Sequence, residues 1–215
     1  MAPRPNFVLV LDFDGTVTEK DVGDEVCDRF APPAWRDIDA AWVRNELSLP
    51  EAQRQMWALA RCDRPEALAY AKQVGKLRPG LDALLESVHR AGGAAWLASG
   101  GFDFYIEAIL HGRLPRFERT YFNSTRFIDG KVEVTFPHAS LSCGRCAVCK
   151  GNVCDLARAS GARVVFVGDG ASDRCAIGRA DVLCAVQGSL LARACEERKL
   201  PYVPFLELDD VIEAL

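Results

Sequence analysis

Two aspartates one residue apart, Asp12 and Asp14 in "LDFDGT", and two more in "GDGASD", Asp169 and Asp173, have a spacing that could do chemistry. Each pair follows an apolar run that reads as a buried strand. Carboxylates gathered at one sheet edge repel one another unless a cation sits among them. Hard oxygen ligands in that number suit Mg²⁺ better than zinc. Two further residues stand at the ends of other elements: Ser99 in "ASGG", with Gly100 beside it, and Lys150 ahead of "GNVCDLARAS". That last stretch reads as a helix, so the Lys150 ammonium would share the positive end of a helix dipole. A metal–carboxylate cluster with a lysine and a hydroxyl suggests phosphoryl transfer, because the cation, Lys150 and Ser99 can neutralise the oxygens of a transferring phosphate.

Taken singly, each residue also has an ordinary reading. A D-x-D at a strand end is commonly a turn, and Thr16 can simply shape it. Ser99 is a normal loop residue, Lys150 a normal helix-start residue, and Asp173 can cap a helix beginning near Arg174. Their joint placement at the ends of separate elements carries the phosphoryl-transfer reading.

The segment "CGRCAVCKGN" raises a second chemistry, since Cys143, Cys146 and Cys149 form two successive C-x-x-C spacings. Such turns can aim thiolates at one tetrahedral zinc. A fourth ligand from Cys154, Cys62 or His138 would require the fold to bring it near; otherwise the segment is a metal-free loop leading to Lys150. Cys27, Cys175, Cys184 and Cys195 fall in apolar settings and read as packing residues. Nine cysteines is an odd number. No N-terminal run joins basic residues to a long apolar stretch, so a reduced, cytoplasmic protein is expected.

The elements that must position these groups alternate. "NFVLVLDFDG", "GAAWLASGG", "ARVVFVGDG", "DVLCAV" and "PYVPF" read as strands with helical pattern between them, which predicts an α/β, doubly wound and mainly parallel sheet. Leu81, Leu84, Leu85 and Val88 repeat at helical spacing and are closed by "AGG". In "YFNSTRFIDGKVEVTF", Asp129-Gly130 predicts a small β-hairpin. Residues 17–78 show helical patterns only, with capping signatures in "SLPE" and "DRPE". The expected organisation is a core of residues 1–16 and 79–215 with a helical cap, 17–78, inserted after the first strand. At 215 residues and 49% hydrophobic, the chain can bury that core. A net charge of −4 with no dense basic block argues against nucleic acid or an anionic membrane as the main partner and leaves room for a small anionic substrate. No apolar run reaches bilayer length, and nothing in the pattern bears on oligomeric state.

In chain order, "DFDGT" with Asp12, Asp14 and Thr16, then Ser99 with Gly100, then Lys150, then "GDGASD" with Asp169 and Asp173 resemble the four motifs of the haloacid dehalogenase superfamily of phosphatases. The resemblance implies that Asp12 attacks phosphorus to give an aspartyl-phosphate. Asp14 would protonate the leaving oxygen and then activate water. It implies Mg²⁺ held by the Asp12 side chain, the Asp14 backbone carbonyl and Asp169, with Asp173 in support and Ser99, Gly100 and Lys150 on the phosphate.

A helical cap at this place is similar to the phosphoserine phosphatase branch, in which an acid soon after the first motif and a cap arginine grip the amino acid. Here Asp21 stands near the first position, Met56 falls where the arginine would be, and Arg54 is two residues away. Methionine offers a carboxylate no planar donor fork. With Trp57 it suits an apolar or thioether-bearing tail, although the pair can equally be cap core. "FAPPAW" and the C-x-x-C-K segment resemble methionine-salvage phosphatases acting on 2-hydroxy-3-keto-5-methylthiopentenyl-1-phosphate, and relatives hydrolysing pyridoxal phosphate or phosphocholine.

The expectation is therefore a Mg²⁺-dependent phosphatase of a small phosphomonoester, with the methionine-salvage ester ahead of phosphoserine. Transfer to a second alcohol would use the same nucleophile. The rival from another class is a non-catalytic, zinc-stabilised binding protein on the same fold, which has no need for both Asp12 and Asp14.

Overall fold

The computed structural model describes residues 5–215; residues 1–4, part of the N-terminal stretch read for a leader, lie outside it. Strand β1 (Phe7–Leu11) is buried along its whole length, as a run apolar on both faces must be. Four helices follow, α1 (Val22–Phe30), α2 (Trp35–Val43), α3 (Leu49–Leu59) and α4 (Arg64–Val74), and then α5 (Leu81–Arg90). After them come β2 (Ala94–Phe102), α6 (Asp103–Ile109), β3 (Arg119–Ile128) and β4 (Lys131–Thr135). The chain closes with α7 (Lys150–Arg158), β5 (Arg163–Gly168), β6 (Val182–Val186), α8 (Leu190–Glu197) and β7 (Val203–Phe205).

The seven strands lie in the order β4-β3-β2-β1-β5-β6-β7. All neighbours pair in parallel except β3 with β4. Side chains alternate between the faces of this sheet. Leu9, Leu11, Leu97, Val165 and Val167 pack into one core with Leu81, Leu84, Leu85 and Val88 of α5 and with α6. Val8, Val10, Trp96, Val164 and Phe166 pack into the other with Val153, Ala157 and Leu191 from α7 and α8. Burying each large apolar side chain is worth about 1.5–3 kcal/mol, which is how α5 is held without a side-chain N-cap. The doubly wound architecture is as the alternation predicts. The hairpin, however, is no separate unit: β3 pairs with β2, so β3 and β4 form the edge of the main sheet.

Between β1 and α5 the chain leaves and re-enters the sheet layer side by side, with Thr18 bridging Leu77 and the Arg78 N–H donating to the Val17 carbonyl at 2.8 Å. Both capping signatures are real: Ser48 with Glu51 and Asp63 with Glu66 close reciprocal boxes at the starts of α3 and α4. Among the described residues no helix is long and apolar enough to cross a membrane.

Candidate active site

Register places the chemistry. Leu11 pairs with Leu97 on one side and Val167 on the other, so Asp12 and Asp169, just past the ends of β1 and β5, meet Ser99, in the last part of the adjacent β2, at one edge of the sheet. The central position of β1 makes this the switch point of the sheet, where a crevice opens beyond the strand ends. The Asp12 N–H donates to the Val167 carbonyl at 3.0 Å, holding the first motif against the fourth. At Gly15 the backbone turns through φ +74°, and a Cβ there would stand 2.5 Å from an Asp169 oxygen, so only glycine lets the first motif lie against Asp169. The Thr16 hydroxyl donates to Asp169 Oδ1 at 2.8 Å.

Lys150 opens α7 and is buried, with its Nζ 3.1 Å from Asp12 Oδ1, 3.3 Å from Asp173 Oδ1 and 2.7 Å from Ser172 Oγ. Burial alone would depress its pKa, but Asp12 and Asp173 together hold it above the usual lysine value. Asp173 does two things at once: its Oδ2 accepts the Asp169 and Gly170 N–H groups at 2.9 and 2.8 Å, capping the following 3₁₀ turn, while Oδ1 faces Lys150. Ser99 is buried, accepts the Gly101 N–H at 2.8 Å and lies 3.5 Å from Asp14 Oδ2.

Asp14 is held by groups from two elements. The Val22 N–H donates to its Oδ1 at 3.0 Å and the Tyr105 hydroxyl to its Oδ2 at 2.8 Å. Burial, then the nearby Asp21, pushes its carboxyl up, against the lowering effect of the Tyr105 bond. Such a carboxyl is prepared to carry a proton.

Carboxylate oxygens of Asp12, Asp169 and Asp173 lie within 4.8 Å of one another. Burial first, then Asp173, raises Asp12 well above its ordinary value and pushes Asp169 up to about 7. Crowded, desolvated hard-oxygen groups of this kind fit a divalent cation, which would relieve both penalties.

The site opens into a cavity of about 300 Å³ roofed by α1, α2 and α3. Asp21, Met56 and Trp57 line it, with Met56 and Trp57 also buried against the core, so the two readings of that pair coincide. Arg54 departs from expectation: it is exposed, lies outside the lining, and stacks its guanidinium 4.7 Å from the Phe136 ring. Its place on α3 turns it away from the face that Met56 shares.

Several lining or bracing residues were not read from the sequence. Gln53 and Asn123 each donate to the Gly100 carbonyl at 2.8 Å, fixing the second motif from the roof and from β3. Arg78 clasps the turn of the first motif, donating to the carbonyls of Thr16 and Gly15 at 2.8 and 2.7 Å. Asp24, Asp39 and Trp42 line the outer cavity. Only Gln53 carried a readable signal, since it shares a helix face with Met56 and Trp57 at i+3 and i+4.

The cysteine segment also differs from expectation. His138 packs its ring against Tyr121 and Cys154 lies in the core beside α7. The cysteine that joins Cys143 and Cys149 is Cys175, because the turn after β5 packs against the start of α7.

A sequence profile described as haloacid dehalogenase-like hydrolase matches residues 9–177. A protein of Geobacillus kaustophilus (strain HTA426) named 2-hydroxy-3-keto-5-methylthiopentenyl-1-phosphate phosphatase is 32% identical over 212 residues, spanning 97% of this chain and 94% of its own. One of the same name from Geobacillus thermodenitrificans (strain NG80-2) is 31% identical, spanning 99% and 96%. Among solved structures, a phospho-aspartyl intermediate analogue of phosphoserine phosphatase has TM-score 0.74 at 20% identity, covering 98% of this chain and 99% of that one. A substrate-bound phosphoserine phosphatase complex has TM-score 0.73 at 18% identity, covering 99% and 100%. At those identities the structural likeness speaks for the fold and not for the substrate.

Proposed function

This chain belongs to the haloacid dehalogenase-like hydrolase family, and on that premise we propose that it hydrolyses a small phosphomonoester through an aspartyl-phosphate on Asp12. It is a phosphoric monoester hydrolase, as its curated relatives are named phosphatases. A purely binding role, zinc-stabilised or not, is set aside. In the proposed cycle an Asp12 carboxylate oxygen forms a bond to phosphorus while the ester oxygen departs, taking the proton from Asp14. A water then attacks the same phosphorus, gives its proton to Asp14, and releases inorganic phosphate and free Asp12. Ser99, the Gly100 segment and Lys150 would hold the phosphoryl oxygens. Asp12 and Asp169, with the Asp14 backbone carbonyl, would hold Mg²⁺, and Asp173 and Thr16 would keep Asp169 and Lys150 in place. When bound, the ion would supply positive charge against the phosphoryl oxygens.

Residues 17–78 would act as a cap that closes over the ester and opens for water and product. Val43 on α2 and Leu190 on α8 support this, since both line the cavity mouth while 50% and 46% exposed. Closure would bury them.

For the substrate we favour 2-hydroxy-3-keto-5-methylthiopentenyl-1-phosphate. The observation that carries this is the lining. Among the described residues around the cavity Lys150 is the one cation, and it is committed to the phosphate end. A phosphoserine carboxylate would find no partner, whereas Leu49, Met56 and Trp57 present an apolar wall to a methylthio tail. A second reading rests on Asp21, Asp24 and Asp39, whose acids around an aromatic wall would also receive a cationic headgroup such as that of phosphocholine. A phosphate-release screen over the methylthio ester, phosphoserine, pyridoxal phosphate and phosphocholine separates these. The methylthio ester should lead phosphoserine by at least about tenfold in kcat/KM, and a preference for phosphoserine ends this reading. Asp12→Asn should abolish turnover with the circular dichroism spectrum unchanged; normal activity would remove Asp12 from the chemistry.

A further inference from the structure

The cysteine segment lies between β4 and α7, against the 3₁₀ turn Ala171–Ala176 that follows β5. There Cys175 joins the three cysteines of the double C-x-x-C. The sulfurs of Cys143, Cys149 and Cys175 all lie within 4.8 Å of one another, and Cys146 Sγ is 3.9 Å from Cys175 Sγ. All four are free, and bonded sulfurs would stand at about 2.05 Å. Four sulfurs set tetrahedrally about 2.3 Å from one ion stand about 3.8 Å apart, which is the edge that Cys146 and Cys175 already span. Cys146 and Cys149 are buried, so two thiols of the group have little water to hydrogen-bond. Nothing in the phosphatase chemistry uses these sulfurs.

The geometry points to a structural zinc ion held by the thiolates of Cys143, Cys146, Cys149 and Cys175, tying the segment before Lys150 to the turn that carries Ser172 and Asp173. Four thiolates close the coordination shell and leave no open position, so the site is structural. Zinc binding expels the four thiol protons to solvent, with no oxidation of sulfur. Soft sulfur selects zinc, while the hard acids around Asp12 select Mg²⁺, so the two sites sort their ions by ligand type. Cys149 immediately precedes Lys150, and Cys175 lies on the turn whose Ser172 and Asp173 meet Lys150 Nζ at 2.7 and 3.3 Å. The ion would therefore act as a clip on the position of that lysine. The clip's effect on turnover rests on the phosphatase reading; the zinc does not.

The test measures metal before activity. Protein purified without chelator under reducing conditions should hold one zinc per chain by mass spectrometry, and exchange to Co²⁺ should give the intense thiolate-to-cobalt charge-transfer band of a tetrathiolate site. Cys175→Ser and the exposed Cys143→Ser should lose stoichiometric zinc and lower the melting temperature, while Cys195→Ala, on α8, keeps the metal. With zinc lost, phosphate release should fall through a higher KM as Lys150 loosens. Metal-free protein that shows no cobalt tetrathiolate band overturns the proposal. So does full zinc retention in Cys175→Ser, or a disulfide among the four cysteines of the native protein. Zinc loss with unchanged kinetics would keep the metal site and remove the clip.

Discussion

Tyr105 illustrates how one hydroxyl can govern a carboxyl. Its donation to Asp14 at 2.8 Å favours the ionised form and fixes the rotamer, while burial of Asp14 works the other way. Tyr105→Phe removes a bond that strengthens as Asp14 gives up its proton and becomes charged, worth about 1.5–3 kcal/mol at that point, so kcat should fall at least about tenfold with KM little changed. A steady-state comparison with an unaltered kcat would reduce Tyr105 to packing. Asp24 carries a different prediction. Burial, then Asp21 and Asp39, pushes its carboxyl up to about 9. The folded chain keeps this proton up to about pH 9 while the unfolded chain releases it near pH 4, so the folded state binds more protons across that window. Stability present below pH 4 is lost as pH rises, and Asp24→Asn removes the loss. Thermal melts should show a gain for Asp24→Asn that grows from pH 5 to pH 8, and a gain that shrinks would reverse the sign of this argument.

At the scale of elements, α3 presents Gln53, Met56 and Trp57 to the cavity, and its angle is set at its first turn. The Ser48 side chain accepts the Glu51 N–H while the Glu51 carboxylate accepts the Ser48 N–H at 2.9 Å. Ser48→Ala opens that box and should cost about 1 kcal/mol of stability. Because Gln53 also holds the Gly100 carbonyl, the same change should raise KM, and a loss of stability without any kinetic effect would show that α3 is positioned by its packing alone. On the sheet edge, the β3–β4 turn reaches the same helical layer, where Cys62 donates its N–H to the Gly130 carbonyl at 3.1 Å. Asn123 of β3 braces Gly100 from below, so the second motif is held between two elements that meet only in three dimensions.

For the whole molecule, the proposed closing motion brings Val43 toward Leu190 across the cavity mouth. Partial burial of one leucine is worth about 1 kcal/mol, so Leu190→Ser should raise KM roughly fivefold at unchanged melting temperature. An unchanged KM in the phosphate-release assay would leave the two residues without a part in closure. The strand runs, the acids at their ends, the capping boxes and the Asp129-Gly130 turn were all legible in the sequence, because each is a pattern of a few neighbouring residues whose physics is local. The four motifs were legible as a set for the same reason, since each stands at the end of a recognisable element. Tertiary structure alone decided which of them touch. Pairing β1 between β2 and β5 put Asp12 against Lys150 and Tyr105 against Asp14, and packing the β5 turn on α7 carried Cys175 to the other cysteines. Arg54 was misplaced for the converse reason: proximity along a helix does not say which side of it faces the cavity, and that is settled by what the opposite face buries.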